Sequence, residues 1–373
     1  MLSTKIAFND VGIKAFQLKK RLLSRISSVI DTGQFLHGKE NNILSTSLSN
    51  FFKLPYVEIL GSGHDALLFS IQSLKLSLND EVIVPANAYP TVFPLALSGI
   101  KIKLCDVDEN GQMSIDCLKK TITKKTAAII LVHMFGLTTK VDEVANIAKK
   151  NKIFLIEDCA QSFGTKYNNQ LVGTFGDVAC FSFYPTKNLG TLGDGGAVVT
   201  KHKNIALFIH RAKAYGEDLR YKSGFVSGHS RLPELQAATL NVYFETRTED
   251  FNKRKKIFAY YKEKMLKRLS SHIRILTSHT SSDPVPHLLV IEGERRNDLA
   301  KYLAKSGIEI HIHYPLPIHL VEAFSYLGYK SGNFPMAEKL SKNTLSLPFH
   351  AFITKKHVDF IVDKIKEFYE KTV

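Results

Sequence analysis

The chain has 373 residues, 44% hydrophobic and 23% charged, with 22 glycines and 12 prolines; this suits one large or two medium domains and excludes disordered, collagen-like and solenoid chains. Fifty Lys plus Arg against 35 Asp plus Glu give a formal +15, a charge that draws nucleic acid, anionic surfaces or polyanionic small substrates without choosing among them. The longest apolar run, Ala127 to Leu137, is too short to span a bilayer and carries His133, and Asp10 interrupts any signal-like segment, so the expectation is a cytoplasmic protein with no membrane partner.

From about residue 57 short β-branched runs alternate with helical patterns, the signature of an α/β fold with a mostly parallel sheet. Seven runs read as strands: Val57 to Leu60, Glu81 to Val84, Lys101 to Asp106, Ala127 to His133, Ile153 to Ile156, Val178 to Phe183 and Ala197 to Thr200. Between two of them, Val141 to Lys150 places Val141, Val144, Ile147 and Ala148 on one helix face. After about residue 240 comes a long charged helix. Its basic run, Lys253-Arg254-Lys255-Lys256, continues at helical spacing into Lys262, Lys264, Lys267 and Arg268 and reads as a solvated face. No zinc finger, RNA-recognition motif or basic zipper accompanies it, so nucleic acid is not an expected partner. A proline-bearing stretch (Pro284, Pro286, Pro315, Pro317) and an amphipathic helix from Lys355 onward complete the chain. The pattern divides it into a large domain, 1–245, with an N-terminal segment, and a smaller C-terminal α/β domain, 246–373, packed closely together. Cys105, Cys117, Cys159 and Cys180 show no metal spacing and sit among apolar residues, so buried thiols are expected, with neither a disulfide nor a metal site.

Three segments carry candidate chemistry. Gly61-Ser62-Gly63-His64-Asp65-Ala66-Leu67 follows a predicted strand and opens a helix, where free amides and glycines make an anion cradle. Ile156-Glu157-Asp158-Cys159-Ala160-Gln161-Ser162 ends a nearly all-apolar strand, at the edge where α/β proteins bind ligands; a buried carboxylate there needs a cationic partner. Phe181-Ser182-Phe183-Tyr184-Pro185-Thr186-Lys187-Asn188-Leu189-Gly190, followed by Gly193-Asp194-Gly195-Gly196, puts a lysine among aromatics and glycines just past a buried strand. Desolvation lowers the pKa of such an amine and makes it a usable nucleophile for Schiff-base chemistry.

The order of these segments resembles the DegT-type family of pyridoxal-phosphate-dependent sugar-nucleotide aminotransferases, over nearly the whole chain from Gly33-Gln34-Phe35-Leu36-His37-Gly38 to Ser346-Leu347-Pro348-Phe349-His350. The resemblance implies a fold-type-I aminotransferase with a seven-stranded large domain, in which Lys187 binds the coenzyme covalently and acts as general acid and base. It further implies that Asp158 meets the pyridine nitrogen, Gln161 the ring hydroxyl, Ser182 and the amides around Gly63 and His64 the phosphate, while Tyr89 stacks on the ring. His64 stands where the family commonly has Thr, and His229, in Gly228-His229-Ser230-Arg231, where it commonly has Asn; either imidazole can donate the hydrogen bond instead. The motif around His229 implies a homodimer with shared active sites. His311-Ile312-His313-Tyr314-Pro315-Leu316-Pro317-Ile318-His319-Leu320 is similar to members acting on 3-keto sugars, with His313, Tyr314, His319, Tyr184 and Lys222 as candidate sugar or diphosphate contacts. The implied reaction moves the amino group of glutamate to the keto carbon of a nucleoside-diphosphate 3-keto-6-deoxyhexose, dTDP-linked, for amino sugars such as those of lipopolysaccharide O-antigen. A 4-keto-sugar or inosose aminotransferase of the same family is the alternative. A dehydratase of this fold carries histidine in place of the lysine, which this chain keeps, and a regulatory or nucleic-acid-binding protein would need neither Lys187 nor Asp158.

Overall fold

The computed structural model describes residues 5–371. All seven predicted runs join one sheet: β1 (Tyr56–Leu60), β2 (Glu81–Pro85), β3 (Lys101–Cys105), β4 (Thr126–Val132), β5 (Phe154–Asp158), β6 (Val178–Ser182) and β7 (Gly196–Thr200). Their spatial order is β1-β7-β6-β5-β4-β2-β3. Every pairing from β6 to β3 is parallel, and β7 runs antiparallel to both its neighbours. The central strands are buried on both faces, as Val82, Ile83, Val84 and Ala128 to Leu131 show, which is why these runs are continuously apolar instead of alternating.

Helices cover both faces. On one side α4 (Gly63–Ser73), α5 (Tyr89–Leu97) and α8 (Lys203–Ala212) pack a core that includes Leu67, Val92, Ile130 and Ile209. On the other, α3 (Lys39–Phe52) and α7 (Val141–Asn151) enclose Leu44, Ile129, Val144 and Phe181. The parallel strands all end on one edge, so Pro85, Val132, Asp158 and Ser182 lie along the same rim.

The smaller unit is a three-stranded antiparallel sheet, β8 (Ile273–Ile275), β9 (Leu289–Gly293) and β10 (Thr344–Leu347), in the order β8-β9-β10. It packs with α10 (Arg296–Lys305) and α12 (Lys355–Glu370) around Leu289, Leu303, Ile361 and Ile365. The long helix, α9 (Glu234–Leu269), starts earlier than its charged portion suggests and runs unbroken through the expected 245/246 boundary. Its first residue, Glu234, accepts from the amides of Gly38, Glu40 and Asn41 at the start of α3, satisfying donors that have no intrahelical partner. The N-terminal segment is divided between the two units. Ile6 exchanges backbone hydrogen bonds with Gly307 and Glu309 and joins the C-terminal core, whereas α2 (Lys19–Thr32) packs along α9.

The basic run on α9 is largely the expected solvated face, with one exception. Lys256 is exposed and Lys253 and Lys255 partly so, but Arg254 is only 6% exposed, on the stripe with Phe251, Tyr261 and Met265. All four cysteines are free; Cys105, Cys159 and Cys180 are buried and Cys117 is partly so. No described helix is long and apolar enough to cross a membrane.

Candidate active site

The two acids that end β5 point to opposite sides of the sheet, as alternation requires. Glu157 is fully buried and takes the amides of Gly173, Phe175 and Gly176 together with His133 Nε2 at 3.0 Å; it is a structural anchor. Asp158, 4% exposed, accepts from Thr91 Oγ1 at 2.7 Å and from the Ala160 amide at 3.0 Å. Among the described residues Thr91, in the first turn of α5, is the one direct side-chain support of this carboxylate, and the sequence alone did not single it out. Thr91→Val is expected to leave the fold intact and slow turnover about tenfold, the scale of one lost hydrogen bond to a charged group; an unchanged kcat would show that Asp158 needs no such support.

Lys187 sits in the loop after β6, where its amide donates to Tyr184 O at 2.9 Å. Loop closure depends on Gly190, at which a Cβ would come within 2.5 Å of Pro185 O and 2.6 Å of Tyr184 O. Asn188 anchors the same loop by donating to Val285 O at 2.7 Å. Burial pushes the Lys187 ammonium down to about 8, against the opposing pull of Asp158, so the neutral amine is far more accessible near physiological pH than in a solvated lysine.

Gln161 accepts from the Phe135 amide at 2.6 Å and meets the Tyr314 hydroxyl. Burial, reinforced by the charge of Asp158 and opposed by the bond to Gln161, raises that hydroxyl to about 12. The Tyr314 and Tyr89 rings lie 5.6 Å apart at 32°, and Tyr89, 37% exposed, forms an accessible aromatic wall. His313 Nδ1 lies 2.9 Å from Ser346 Oγ. Burial, reinforced by the neighbouring His311 and Lys187, holds its imidazole neutral, down to about 4. Lys187, Asp158, Gln161, Tyr89, His313 and Tyr314 are thus brought together at the C-terminal rim of the sheet.

The glycine turn completes the rim. Ser62 caps α4 by accepting from the Asp65 amide at 3.1 Å. Gly63 lies against Ser182 so closely that a Cβ would come 2.6 Å from that of the serine. The Gly63 and His64 amides, in the first turn of α4, have no acceptor among the described residues, the arrangement that binds phosphate. His64 is exposed, 3.6 Å from its neighbour Asp65. Sequence reasoning also passed over Ser230, which accepts from the Gly61 amide at 2.8 Å and donates to Asp65 at 2.6 Å, docking the His229 segment on this turn of its own chain. His229 itself is exposed beside Tyr215, ring centroids 5.3 Å apart.

A desolvated amine, a buried carboxylate, an aromatic face and free amides beside a serine hydroxyl fit a phosphorylated pyridine aldehyde such as pyridoxal phosphate. Tyr184 is exposed beside Lys187. Lys222 lies on the exposed hairpin of residues 217–223. His319 is placed differently from the sequence expectation of a sugar contact. It is 4% exposed, with Nε2 2.9 Å from Glu338 Oε1 and its ring against Phe334. Glu338 also gathers the Gly332 amide at 2.7 Å, so His319 braces this loop from inside instead of facing the cleft.

The sequence profile of the DegT/DnrJ/EryC1/StrS aminotransferase family matches residues 17–366. The chain is 34% identical to "Erythromycin biosynthesis sensory transduction protein EryC1" of Saccharopolyspora erythraea, over 97% of this chain and 99% of that protein. It is 33% identical to "dTDP-3-amino-3,6-dideoxy-alpha-D-galactopyranose transaminase" of Aneurinibacillus thermoaerophilus, over 97% and 99%. Among solved structures, DesV of S. venezuelae, in complex with ketimine intermediate, is similar with a TM-score of 0.96 at 29% identity, covering both chains fully.

Proposed function

We propose that this chain, which belongs to the DegT/DnrJ/EryC1/StrS aminotransferase family, aminates the 3-keto carbon of a dTDP-linked 6-deoxyhexose with glutamate as donor. It is a sugar-nucleotide aminotransferase, and pyridoxal phosphate is its coenzyme. When bound, the coenzyme supplies an electron sink for the carbanion that forms at the amino-bearing carbon. Lys187 would hold it covalently and, as a free amine, would act as the general acid and base that moves a proton at the amino-bearing carbon. Asp158, kept in place by Thr91, holds a proton at the pyridine nitrogen. Gln161 orients the ring hydroxyl, Tyr89 covers one ring face, and Ser182 with the Gly63 and His64 amides takes the phosphate. His313, neutral at physiological pH, and Tyr314 are placed to bind sugar hydroxyls, with Tyr184 at the rim.

The observation that carries the sugar assignment is the position of the His313-Tyr314 pair, coupled electrostatically to Lys187 and Asp158, together with relatives at 30% and 33% identity whose names specify dTDP-3-amino sugars. Exposed Tyr221 and Val226 flank Lys222, which supports a homodimer whose partner receives Lys222 and His229. The product would serve amino-sugar synthesis, O-antigen among its uses.

The decisive experiment follows visible absorbance of the loaded enzyme with glutamate, then with 3-keto and 4-keto deoxysugar nucleotides, and locates the nitrogen in the product by NMR. Glutamate is expected to bleach the coenzyme band and a 3-keto sugar to restore it, with nitrogen on carbon 3. Nitrogen on carbon 4 would overturn the assignment.

A further inference from the structure

A cavity of about 230 Å³ borders Lys187 and is lined by Asn9, Asp10, Lys14, Asp250, Arg254 and His350 among others. Its walls come from four parts of the chain: the N-terminal segment, the Lys187 loop, α9 and the segment after β10. The N-terminal wall is held from outside by the Ile6 hydrogen bonds to residues 307 and 309 and by the Phe349 amide, which donates to Phe8 O at 3.2 Å.

Besides Lys187 it holds two cations, Lys14 and Arg254, and two carboxylates, Asp10 and Asp250, but the direct pairing among them is uneven. Lys14 is ion-paired with Asp250, and Asp10 caps α1 (Val11–Gln17) by accepting from the Ile13 amide at 3.2 Å. Burial, with Arg254 as the next cation, keeps His350 neutral, down to about 4. Arg254 remains. It is 6% exposed, and its Nη1 donates only to the carbonyls of Pro286 at 3.4 Å and His287 at 3.3 Å. Among the described residues no carboxylate forms an ion pair with it. Burial pushes its guanidinium down to about 10, the charge of Asp250 offsetting only part. A buried cation with no carboxylate in direct contact is costly, and a ligand that supplies one would complete the pair.

Size narrows the ligand. Pockets for drug-sized molecules run from about 300 Å³ upward, so a whole hexose nucleotide does not fit this cavity, whereas an amino acid does. Its amino-bearing carbon must reach Lys187, which lines the same cavity. We infer that this cavity is the amino-donor subsite and that Arg254 receives a carboxylate of glutamate. This rests on the glutamate reading given above and adds a specificity residue to it.

Two variants test the inference. Arg254→Met removes the cation. Asn9→Asp, at a partly exposed wall position, supplies a competing carboxylate without touching the carbonyl bonds of Arg254. In each, the KM for glutamate is expected to rise at least about tenfold, while the KM for the keto-sugar nucleotide in the second half-reaction stays within about twofold. Glutarate, a dicarboxylate without an amino group, is expected to bind the loaded wild-type enzyme in calorimetry and both variants at least about tenfold more weakly. Unchanged glutarate binding in variants that melt like wild type would overturn the inference, as would a parallel rise in the sugar KM. If Arg254→Met fails to fold, Asn9→Asp decides on the same terms. Should wild-type enzyme ignore glutamate and take nitrogen from another amino acid, the donor reading fails; glutarate binding at the cavity then separates that failure from failure of the site.

Discussion

Lys187→Ala is expected to abolish turnover. General acid and base catalysis by a positioned group contributes about 10²–10⁴-fold, and this residue also provides the covalent hold on the coenzyme, so the loss should reach the upper end of that range or beyond. No other described amine is placed to take over: Lys14 is engaged with Asp250 and Lys222 lies on the exposed hairpin. The same residue sets a pH dependence with a definite sign. Its ammonium is pushed down to about 8 from 10.5 by burial, so the reactive neutral amine is lost as pH falls below about 8. Labelling of coenzyme-free enzyme by an amine-directed reagent should therefore show a midpoint near 8 at this residue. In the unfolded chain the same lysine keeps its proton up to the ordinary value. Between about 8 and 10.5 the unfolded state thus binds more protons than the folded one, and stability rises with pH through that window. Lys187→Ala should remove that rise and, below it, melt higher than wild-type apoenzyme, since a desolvated cation has gone. A midpoint near 10.5 would show that the amine is solvated and that another device activates it.

The strands were legible because burial on both faces leaves continuous apolar runs such as Ala127 to Val132, and a run of that kind needs no partner to be recognised. What could not be read was direction. The antiparallel insertion of β7 between β1 and β6 depends on connections over more than a hundred residues, to which the local apolar pattern of Ala197 to Thr200 is indifferent. Lys187 and Asp158 stood out because each interrupts an apolar context with chemistry that burial makes reactive. Thr91 and Ser230 did not, since a threonine in a helix or a serine in a loop is ordinary until its partner is known. The two histidines of one motif illustrate the limit: His313 and His319 are separated by five residues, yet one borders the cleft and the other lies behind it on Glu338. Arg254 was hidden by its lysine neighbours, although its spacing from Phe251 and Tyr261 placed it on the buried stripe.

Asp158→Asn should be the next most damaging change while leaving the fold nearly untouched. The amide has the same shape, can still accept from the Ala160 amide, and can donate to Thr91 Oγ1 where the carboxylate accepted. What disappears is the negative charge. An adjacent carboxylate shifts a cationic partner by about one to three pKa units, so losing it should leave the pyridine nitrogen largely unprotonated at neutral pH and slow proton abstraction by about a hundredfold or more. Two readouts separate this from mere disorder. Asp158 supports the charged form of Lys187 and opposes ionisation of Tyr314, so both groups should titrate lower in the variant. Loss of activity with Lys187 still titrating near 8 would mean that the carboxylate acts by holding position, and the electrostatic role assigned to it would have to be given up.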